Sequence, residues 1–515
     1  MLAHRRLPSW SVVAAALVIS LVLAAGTLPR AALAAPTYTV TSGGDTTVGS
    51  CAAGSTTCTL RLAVQNANVN PGSTINVTSG LVIVFGSGNP QIDINTATTI
   101  QTTGAAAATI DGTSAILGVL RVVATSPVTI SSLNIQNSSN IIGGGAITTV
   151  VGAGLTLNNL TLSGNKCFFG SGGAINNSGS LGLHNVSVTN NGGVTCLFGG
   201  GIFTSGPLII QGGSVTGNTA ATNGGGIYVN TGAGNSLTAT GTSITNNTAG
   251  QDGGGIYASG PVSLMGVNLS NNTATQGGGG GMFVSAATAS LADSTVGGNQ
   301  STGSGGGLAV ISSQLTVSRS TVSTNRSHAT ALTGFGGGIF MNSSSGSITN
   351  STLAGNSADS GGGLYTGSSS LSVSSATIAG NSAPTGAGVF VAATSSLGLH
   401  NTILAYTPSN CTGSVTSQGY NIDTANTCTL AGPGDQPNTD PNLLPLGNNG
   451  GSTQTMALLA TSPAINAGDP ACPPPGTDQR GTSRPQGPRC DIGAYEFVSS
   501  IPPPVPAPPS TGRNY

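Results

Sequence analysis

A glycine-rich unit recurs through the middle of the chain and limits what the chain can fold into. Gly143-Gly144-Gly145-Ala146-Ile147 is followed by Gly172-Gly173-Ala174-Ile175, Gly199-Gly200-Gly201-Ile202-Phe203 and Gly224-Gly225-Gly226-Ile227-Tyr228. Two more copies end at Tyr257 and Phe283, and four later ones at Leu308, Ile339, Leu364 and Val389. From Ile147 to Val389 the steps are 28, 27, 25, 29, 26, 26, 31, 25 and 25 residues. A period in this range means supersecondary units stacked so that neighbours bury one shared core.

Each period carries a second signature. Leu155-Thr156-Leu157 precedes Leu160-Thr161-Leu162 and Asn165; Leu371-Ser372-Val373 precedes Ala376-Thr377-Ile378 and Asn381. These short alternations of apolar and small polar residues read as strands, separated by Gly, Asn and Ser turns. A single strand order repeated once per period suits a coil stacked on its own next turn. Stacked coils rise about 4.8 Å each, so ten make a rod roughly 48 Å long, and parallel crossovers wind right-handed. The expected fold is all-β: a single right-handed parallel β-helix solenoid of roughly ten or more coils, with a short N-terminal capping helix and an irregular C-terminal cap. Asn165, Asn191, Asn218, Asn247, Asn272, Asn299, Asn325, Asn356 and Asn381 recur once per coil. Stacked amides can hydrogen-bond along the axis, and Asn also tolerates a left-handed turn. The glycines permit tight bends, and no pattern of strand leading into helix marks them as a phosphate loop.

With 82 Gly and only 12 basic and 13 acidic residues in 515, the chain could pass for disordered. Disorder pairs low hydrophobicity with high charge, whereas here hydrophobic residues make up 37% and are periodic. The net charge of −1 offers no basic patch for nucleic acid. At the N-terminus, Arg5 and Arg6 precede an apolar run from Trp10 to Gly26, and Ala32-Leu33-Ala34 supplies a small-x-small cleavage site. Residues 1–34 therefore read as a signal peptide, with an uncleaved anchor as the rival. No later stretch is long and apolar enough to span a membrane.

Eight cysteines fit an exported protein and fall into neighbouring pairs: Cys51/Cys58, Cys167/Cys196, Cys411/Cys428 and Cys472/Cys490. Cys167 and Cys196 occupy equivalent places in consecutive coils, at a spacing of about 4.8 Å that a disulfide accommodates. No Cys-x-x-Cys or His cluster supports metal binding. Disulfides are the expectation for all four pairs.

The two ends carry their own signals. Cys58-Thr59-Leu60-Arg61-Leu62-Ala63 opens a run with apolar residues at 60, 63, 64 and 67, a helical spacing with Thr59 as N-cap. It resembles the CSLREA motif near the start of exported bacterial β-helix proteins; Leu62 stands where that family has an acidic residue, so any salt bridge made by that acid is lost. Near the other end come Asn448-Asn449-Gly450-Gly451-Ser452-Thr453, Ser462-Pro463-Ala464-Ile465-Asn466-Ala467-Gly468-Asp469, Asp478-Gln479-Arg480-Gly481-Thr482-Ser483-Arg484-Pro485 and Cys490-Asp491-Ile492-Gly493-Ala494-Tyr495-Glu496. This segment resembles the choice-of-anchor Q domain that follows β-helix repeats in bacterial surface and secreted proteins. The repeats themselves are similar to those of the pectin-lyase-like superfamily and of polymorphic outer-membrane proteins. The expected organisation is signal peptide 1–34, N-terminal cap 35–80, β-helix repeats 81–410, C-terminal cap 411–498 and a Pro-rich tail 499–515. Seven charges gather in the cap: Asp469, Asp478, Arg480, Arg484, Arg489, Asp491 and Glu496. They read as an ion-pair network fixing irregular loops, with a catalytic or calcium site as the alternative.

The superfamily resemblance implies lyases with acidic calcium ligands and an Arg or Lys base, and hydrolases with paired carboxylates. From Gly143 to His400 the acidic residues are Asp252, Asp293 and Asp359, and the basic ones Lys166, Arg319 and Arg326. Asp252 and Asp359 lie four coil rises, roughly 19 Å, apart. Asp293, read as a strand residue, faces Arg319 in the next coil as a surface ion pair. His184 and His400 occupy matching strand positions far apart, and His328 sits in the longest repeat loop. Outward faces are Ser, Thr, Asn and Gly rich with Tyr228, Tyr257 and Tyr365; a Thr row along one side is interrupted at Gly182 and Ile209. Fold analogy alone carries no activity. The reading is an exported, monomeric, disulfide-stapled surface or extracellular protein with a non-catalytic, adhesin-like or matrix role. It takes no cofactor, and its partner is an extracellular glycan or surface ligand. A polysaccharide lyase or hydrolase is the alternative, followed by a purely structural envelope protein. Three or more carboxylates on one face would favour the enzyme, and an aromatic stripe along the rod would favour glycan binding.

Overall fold

The computed structural model describes residues 34–141, 143–328, 334–472 and 476–499; residues 1–33 of the expected signal peptide and all but the first residue of the Pro-rich tail lie outside them. The chain forms a right-handed parallel solenoid of three long sheets. Sheet 1 stacks 15 strands from Thr37–Val40 to Thr416–Ser417, and sheet 2 stacks 15 from Val82–Val84 to Gln436–Pro437. Sheet 3 stacks 13 from Ile92–Ile94 to Cys411–Thr412. A short ladder of five two-residue strands runs from Thr219–Ala220 to Arg326–Ser327 between sheets 2 and 3.

One coil shows why the sequence folds this way. Ser236–Thr240 lies in sheet 1, Gly241 bends the chain, Ser243–Thr245 lies in sheet 2, and Ile256–Ala258 lies in sheet 3. Alternate side chains point inward, so Leu237, Ala239, Ile244, Ile256 and Ala258 are fully buried. Each sits on its equivalent in the next coil: Leu237 on Val262, Ala239 on Leu264, Ile244 on Leu269. A buried Val, Leu or Ile is worth about 1.5–3 kcal/mol, and the columns run the length of the rod. No single coil closes a core of its own; the next one completes it.

The bends demand left-handed backbone. Between sheets 1 and 2 the corner residue has positive φ in successive coils, as at Asn159, Asn185, Gly241, Asp293, Arg319 and Asn401. Asp293 is thus a corner residue just past its strand. The glycine run has a different role at each position. Gly224 has φ +68°; a Cβ on Gly225 would meet the Gly254 carbonyl oxygen of the next coil at 2.4 Å, and one on Gly226 would crowd the Asn247 amide. Any larger residue would push neighbouring coils apart.

The Asn column is buried. From Asn165 to Asn356, each residue donates both its backbone N–H and its side-chain Nδ2 to Oδ1 of the next Asn, at 2.9–3.0 Å. The second Nδ2 hydrogen goes to a carbonyl of the preceding coil, as from Asn272 to Ile244. The left-handed residue is the one before the ladder Asn, for example Asn190, Asn246 and Asn271. The amide ladder and the left-handed turn therefore occupy adjacent positions.

The ends are closed differently. Helix Leu60–Asn68 is capped by Thr59, whose side chain accepts from the Leu62 amide at 3.2 Å, and it buries Leu60, Ala63, Val64 and Ala67 on the first coil. Its Arg61 makes a bidentate pair with Asp45 at 2.7 and 3.0 Å and donates to the Pro90 carbonyl. Burial opposes ionisation of Asp45, but Arg61, Asn89 and the Gly86 amide hold its carboxyl below the usual range. The helix is thus pinned through position 61, although position 62 carries Leu. At the far end the Cys411–Cys428 disulfide, with Leu430 and Val415 beside it, covers the last coils. Residues 443–472 and 476–497 then turn back along the outer face of sheet 2. Met456, Leu458, Ala464 and Ile492 pack there on Ala354, Ala379, Ile403 and Ile422.

Disulfides join Cys51 to Cys58, Cys167 to Cys196, Cys411 to Cys428 and Cys472 to Cys490. Cys167 and Cys196 sit in consecutive coils with Cα atoms 5.0 Å apart.

Replacing Asn272, in mid-ladder, with Ala removes four side-chain hydrogen bonds and strands buried donors and acceptors above and below. The expected cost is about 2–5 kcal/mol, read as a drop in the urea midpoint. Asn381→Ala, at the ladder's end, is expected to cost less. Equal losses would contradict cooperative stacking.

Candidate functional site

Three places on the rod could carry function: the charged C-terminal cap, an aromatic column on sheet 3 and a hydroxyl-lined groove on sheet 1.

In the cap, Asp478, Asp491 and Glu496 come together, each at most 1% exposed. Their oxygens are occupied by protein donors. Asp478 accepts from Arg480 Nε and Nη2 at 2.9 and 2.7 Å and from the amides of Arg480, Thr482 and Glu496. Glu496 accepts from Arg484 Nη1 at 3.0 Å and from the amides of Gln486 and Asp491. Asp491 accepts from the amides of Asn466 and Phe497. The Arg480 guanidinium lies 3.6 Å over the Tyr495 ring. This cluster shapes the cap, and Gln479 beside it grips Thr321 and Thr352 on sheet 2. Burial pushes the Asp491 carboxyl up to about 6. Of the remaining cap charges, Asp469 meets His400 at 3.1 Å, and Arg489 lies 5.3 Å over the Tyr420 ring.

The other charges of the coils are dispersed. Asp293 and Arg319 form a bidentate pair at 2.8 and 2.6 Å between stacked corners. Arg121 pairs in the same way with Asp93 one coil away. Asp252 accepts from the Gly278 amide at 2.7 Å, and burial pushes its carboxyl up. His328 meets Asp359 at 3.2 Å, and His184 bonds Gln211 at 2.9 Å. Among the described residues, no group of three His, Cys, Asp or Glu is arranged to hold a metal ion.

On the outside of sheet 3 the residue after the inward Ile, Leu, Met or Val is aromatic in seven of eight consecutive coils: Phe203, Tyr228, Tyr257, Phe283, then Ala309, then Phe340, Tyr365 and Phe390. Neighbouring rings stack at 4.8–5.5 Å, with planes within 25° of parallel. Tyr228 and Tyr257 belong to one stack of four rings and Tyr365 to a second stack of three in the same column, the two separated by Ala309. The column becomes legible only once the repeats are aligned on the residue after that inward position. Its rings spend their faces on one another and show mainly their edges to solvent, and each pair is worth about 0.5–1.5 kcal/mol to stacking.

On sheet 1 the outward Thr row is unbroken over five rungs, Thr37, Thr74, Thr99, Thr129 and Thr156, before Gly182 and Ile209 interrupt it. Further along, the corner from sheet 3 to sheet 1 contracts to a tight turn in successive coils. Ala286, Ser312, Ser343 and Ser368 take positive φ, and the serine that follows each of the last three is buried. Ser313, Ser344 and Ser369 form a second ladder: the Ser313 amide donates to Ser344 Oγ, that of Ser344 to Ser369 Oγ, and that of Ser369 to Ser395 Oγ, at 3.0–3.2 Å. Over this ladder lies a two-lobed groove of about 710 and 500 Å³. No charged side chain lines it.

The family described as right handed beta helix region matches residues 242–427. No protein of curated function matches the chain. A crystal structure of pectate lyase Pel9A is similar at a TM-score of 0.30 and 15% identity, over 90% of this chain and 96% of that one. At these values the likeness says nothing of this chain's activity. No helix among the described residues is long and apolar enough to cross a membrane.

The buried Asp491 makes the cap pH-dependent. Its carboxyl rises from 3.8 to about 6 on folding, so the folded cap holds a proton that the unfolded chain releases. Its contribution is complete below the unfolded value and is lost as pH rises through about 6. Hydrogen exchange over residues 466–497, corrected for intrinsic rates, is expected to show a tighter cap at about pH 5 than at about pH 8. Asp491→Asn is expected to remove most of that difference.

Proposed function

We propose that this chain is an exported, non-catalytic interaction protein of the cell surface or extracellular matrix, adhesin-like in role, that acts as a single chain and holds an extended polymer against its coils. One observation carries the reading. An open groove of about 710 Å³ on sheet 1 is lined by neutral side chains rich in hydroxyls and lies over a serine ladder. The three carboxylates that do come together are buried and engaged by arginines and amides of the cap. Four disulfides suit an oxidising compartment outside the cytosol.

Neutral hydroxyl arrays bind by many weak, exchangeable hydrogen bonds, which suits retention rather than bond cleavage. The aromatic column takes part by holding the coils in register behind the groove. A polysaccharide lyase or hydrolase is the competing reading, and a purely structural envelope protein comes after it.

The test uses the chain from Ala35 onward on a panel of immobilised neutral and acidic polysaccharides, with and without calcium. Retention on at least one polymer without release of reducing or unsaturated ends is expected. Release of such ends would make the chain an enzyme, and neither retention nor release would leave the structural reading.

A further inference from the structure

We infer that the loops joining sheet 2 to sheet 3 near the N-terminal end of the rod form a docking surface for a phospholipid bilayer, entered by Phe168 and Phe169. This surface is separate from the groove on sheet 1 and stands whether or not a polymer is held there. In four successive coils the loop exposes a large apolar residue: Ile116, Ile141, the pair Phe168 and Phe169, and Val194. Backbone bonds hold these loops side by side. The Ile141 amide donates to the Ile116 carbonyl, that of Phe168 to Asn140, and that of Phe169 to Thr195. The four loops span three coil rises, about 14 Å. In the next two coils the same loop carries Ala220-Ala221-Thr222 and Ala249-Gly250-Gln251, so the patch belongs to one end of the rod. Every other Phe among the described residues is buried or half-buried. A single exposed apolar side chain is ordinary, whereas a contiguous group marks a surface that meets something.

Phe169 is also held in an uncommon backbone conformation. Its φ is +55°, in the left-handed region that a bulky aromatic residue rarely adopts. Its ring is 79% exposed, so packing of the ring does not offset the strain. The turn is fixed by its surroundings instead. Cys167 is bonded to Cys196 of the next coil, the Phe169 amide donates to the Thr195 carbonyl at 2.9 Å, and the Leu197 amide donates to the Gly170 carbonyl at 2.9 Å. Strain imposed by neighbours at an exposed position points to a use for the ring outside the fold. A tip fixed in this way enters a bilayer without first losing conformational freedom.

Charge and area select the occupant. The loops 112–119, 137–146, 164–174 and 190–201 contain no Asp or Glu, and their one charge is Lys166, the sole lysine of the chain. Lys166 is exposed, alternating with buried Cys167 and exposed Phe168, so its ammonium stands on the same side as the Phe168 ring. Aromatic rings beside a lysine match the membrane interface. The rings enter the acyl boundary while the long lysine stem lets its ammonium reach the headgroup phosphates. A second copy of the chain fits less well. A stable protein interface takes about 20–30 residues a side, and this patch offers five exposed apolar side chains, with Gly170 and Gly193 directly beside Phe169 and Val194. A bilayer sets no such minimum and asks for no matching hydrogen bonds from the rings.

The test is partition of the chain from Ala35 onward onto vesicles of phosphatidylcholine and phosphatidylglycerol. The single tryptophan, Trp10, lies before Ala35, so Phe169→Trp supplies a lone reporter. On vesicles its fluorescence is expected to shift to shorter wavelength and to be quenched by lipids brominated near the headgroup. Phe168→Ser combined with Phe169→Ser is expected to lower partition by about tenfold or more, and Lys166→Glu to lower it by setting an acid against the phosphates. Phe169→Gly suits the left-handed turn; it is expected to melt no lower than the parent chain and still to bind vesicles more weakly, which separates lost binding from lost folding. Met265→Ser, at an exposed position on sheet 1, is expected to leave partition unchanged. No partition, an unshifted reporter, or partition untouched by the Phe and Lys166 variants would overturn the inference. A dimer in sedimentation that dissociates in the Phe double variant would assign the patch to a second copy and overturn it as well. Retention on polysaccharides is expected to be the same for the Phe double variant and the parent chain, so the polymer-binding role is read independently of this surface.

Discussion

Stacking of one coil on the next is the constraint from which the rest follows. A coil cannot bury its own apolar residues or satisfy its own strand amides, so every inward position must match the position above and below it. The Asn ladder makes this strictest. Each Asn is buried, donates its backbone N–H and one side-chain N–H to the next coil and its other side-chain N–H to the preceding one, and a mismatch at one rung would strand donors and acceptors on two others. The glycine run beside it enforces the same closeness by sterics, because carbonyls of the next coil come within 2.4 Å of where a Cβ would stand.

This division leaves the outer faces free. With the inside fixed by Leu, Ile, Val and Asn columns, outward residues answer only to solubility and to whatever the rod meets. Two outward columns depart from simple cladding. The aromatic column on sheet 3 continues the stacking principle outside the core, its rings facing one another rather than a partner. The hydroxyl columns on sheet 1 point into an open groove and are supported from beneath by a buried serine ladder. The charged residues are mostly spent on architecture: Arg61 pins the N-terminal helix, Arg319 ties two corners, and Arg480 and Arg484 knit the C-terminal cap.

The sequence disclosed the solenoid because its period is long, regular and marked by residues with no alternative role. Leu155 and Leu181 share a column and also share a motif, so alignment of the repeats yields register directly. The capping helix was legible from the spacing of Leu60, Ala63, Val64 and Ala67, and the corner pair of Asp293 and Arg319 from its one-coil separation. What repeat reading could not supply was contact between distant segments. That Gln479 grips Thr321, that the cap lies along sheet 2 rather than only beyond the last coil, and that His328 meets Asp359 all depend on irregular chain with no period. The aromatic column was within reach of alignment but hidden by treating Phe and Tyr separately. The groove was not legible, because an exposed Ser at 312 and a buried Ser at 313 look alike until the corner's left-handed turn is known.

The most direct measurement of the account is hydrogen exchange of the whole chain with and without a polysaccharide that retains it. The account predicts new protection concentrated on sheet 1 and its corner between residues 286 and 418, with sheet 2 and the C-terminal cap unchanged. Protection appearing instead over the aromatic face of sheet 3, or spread evenly along the rod, would contradict it.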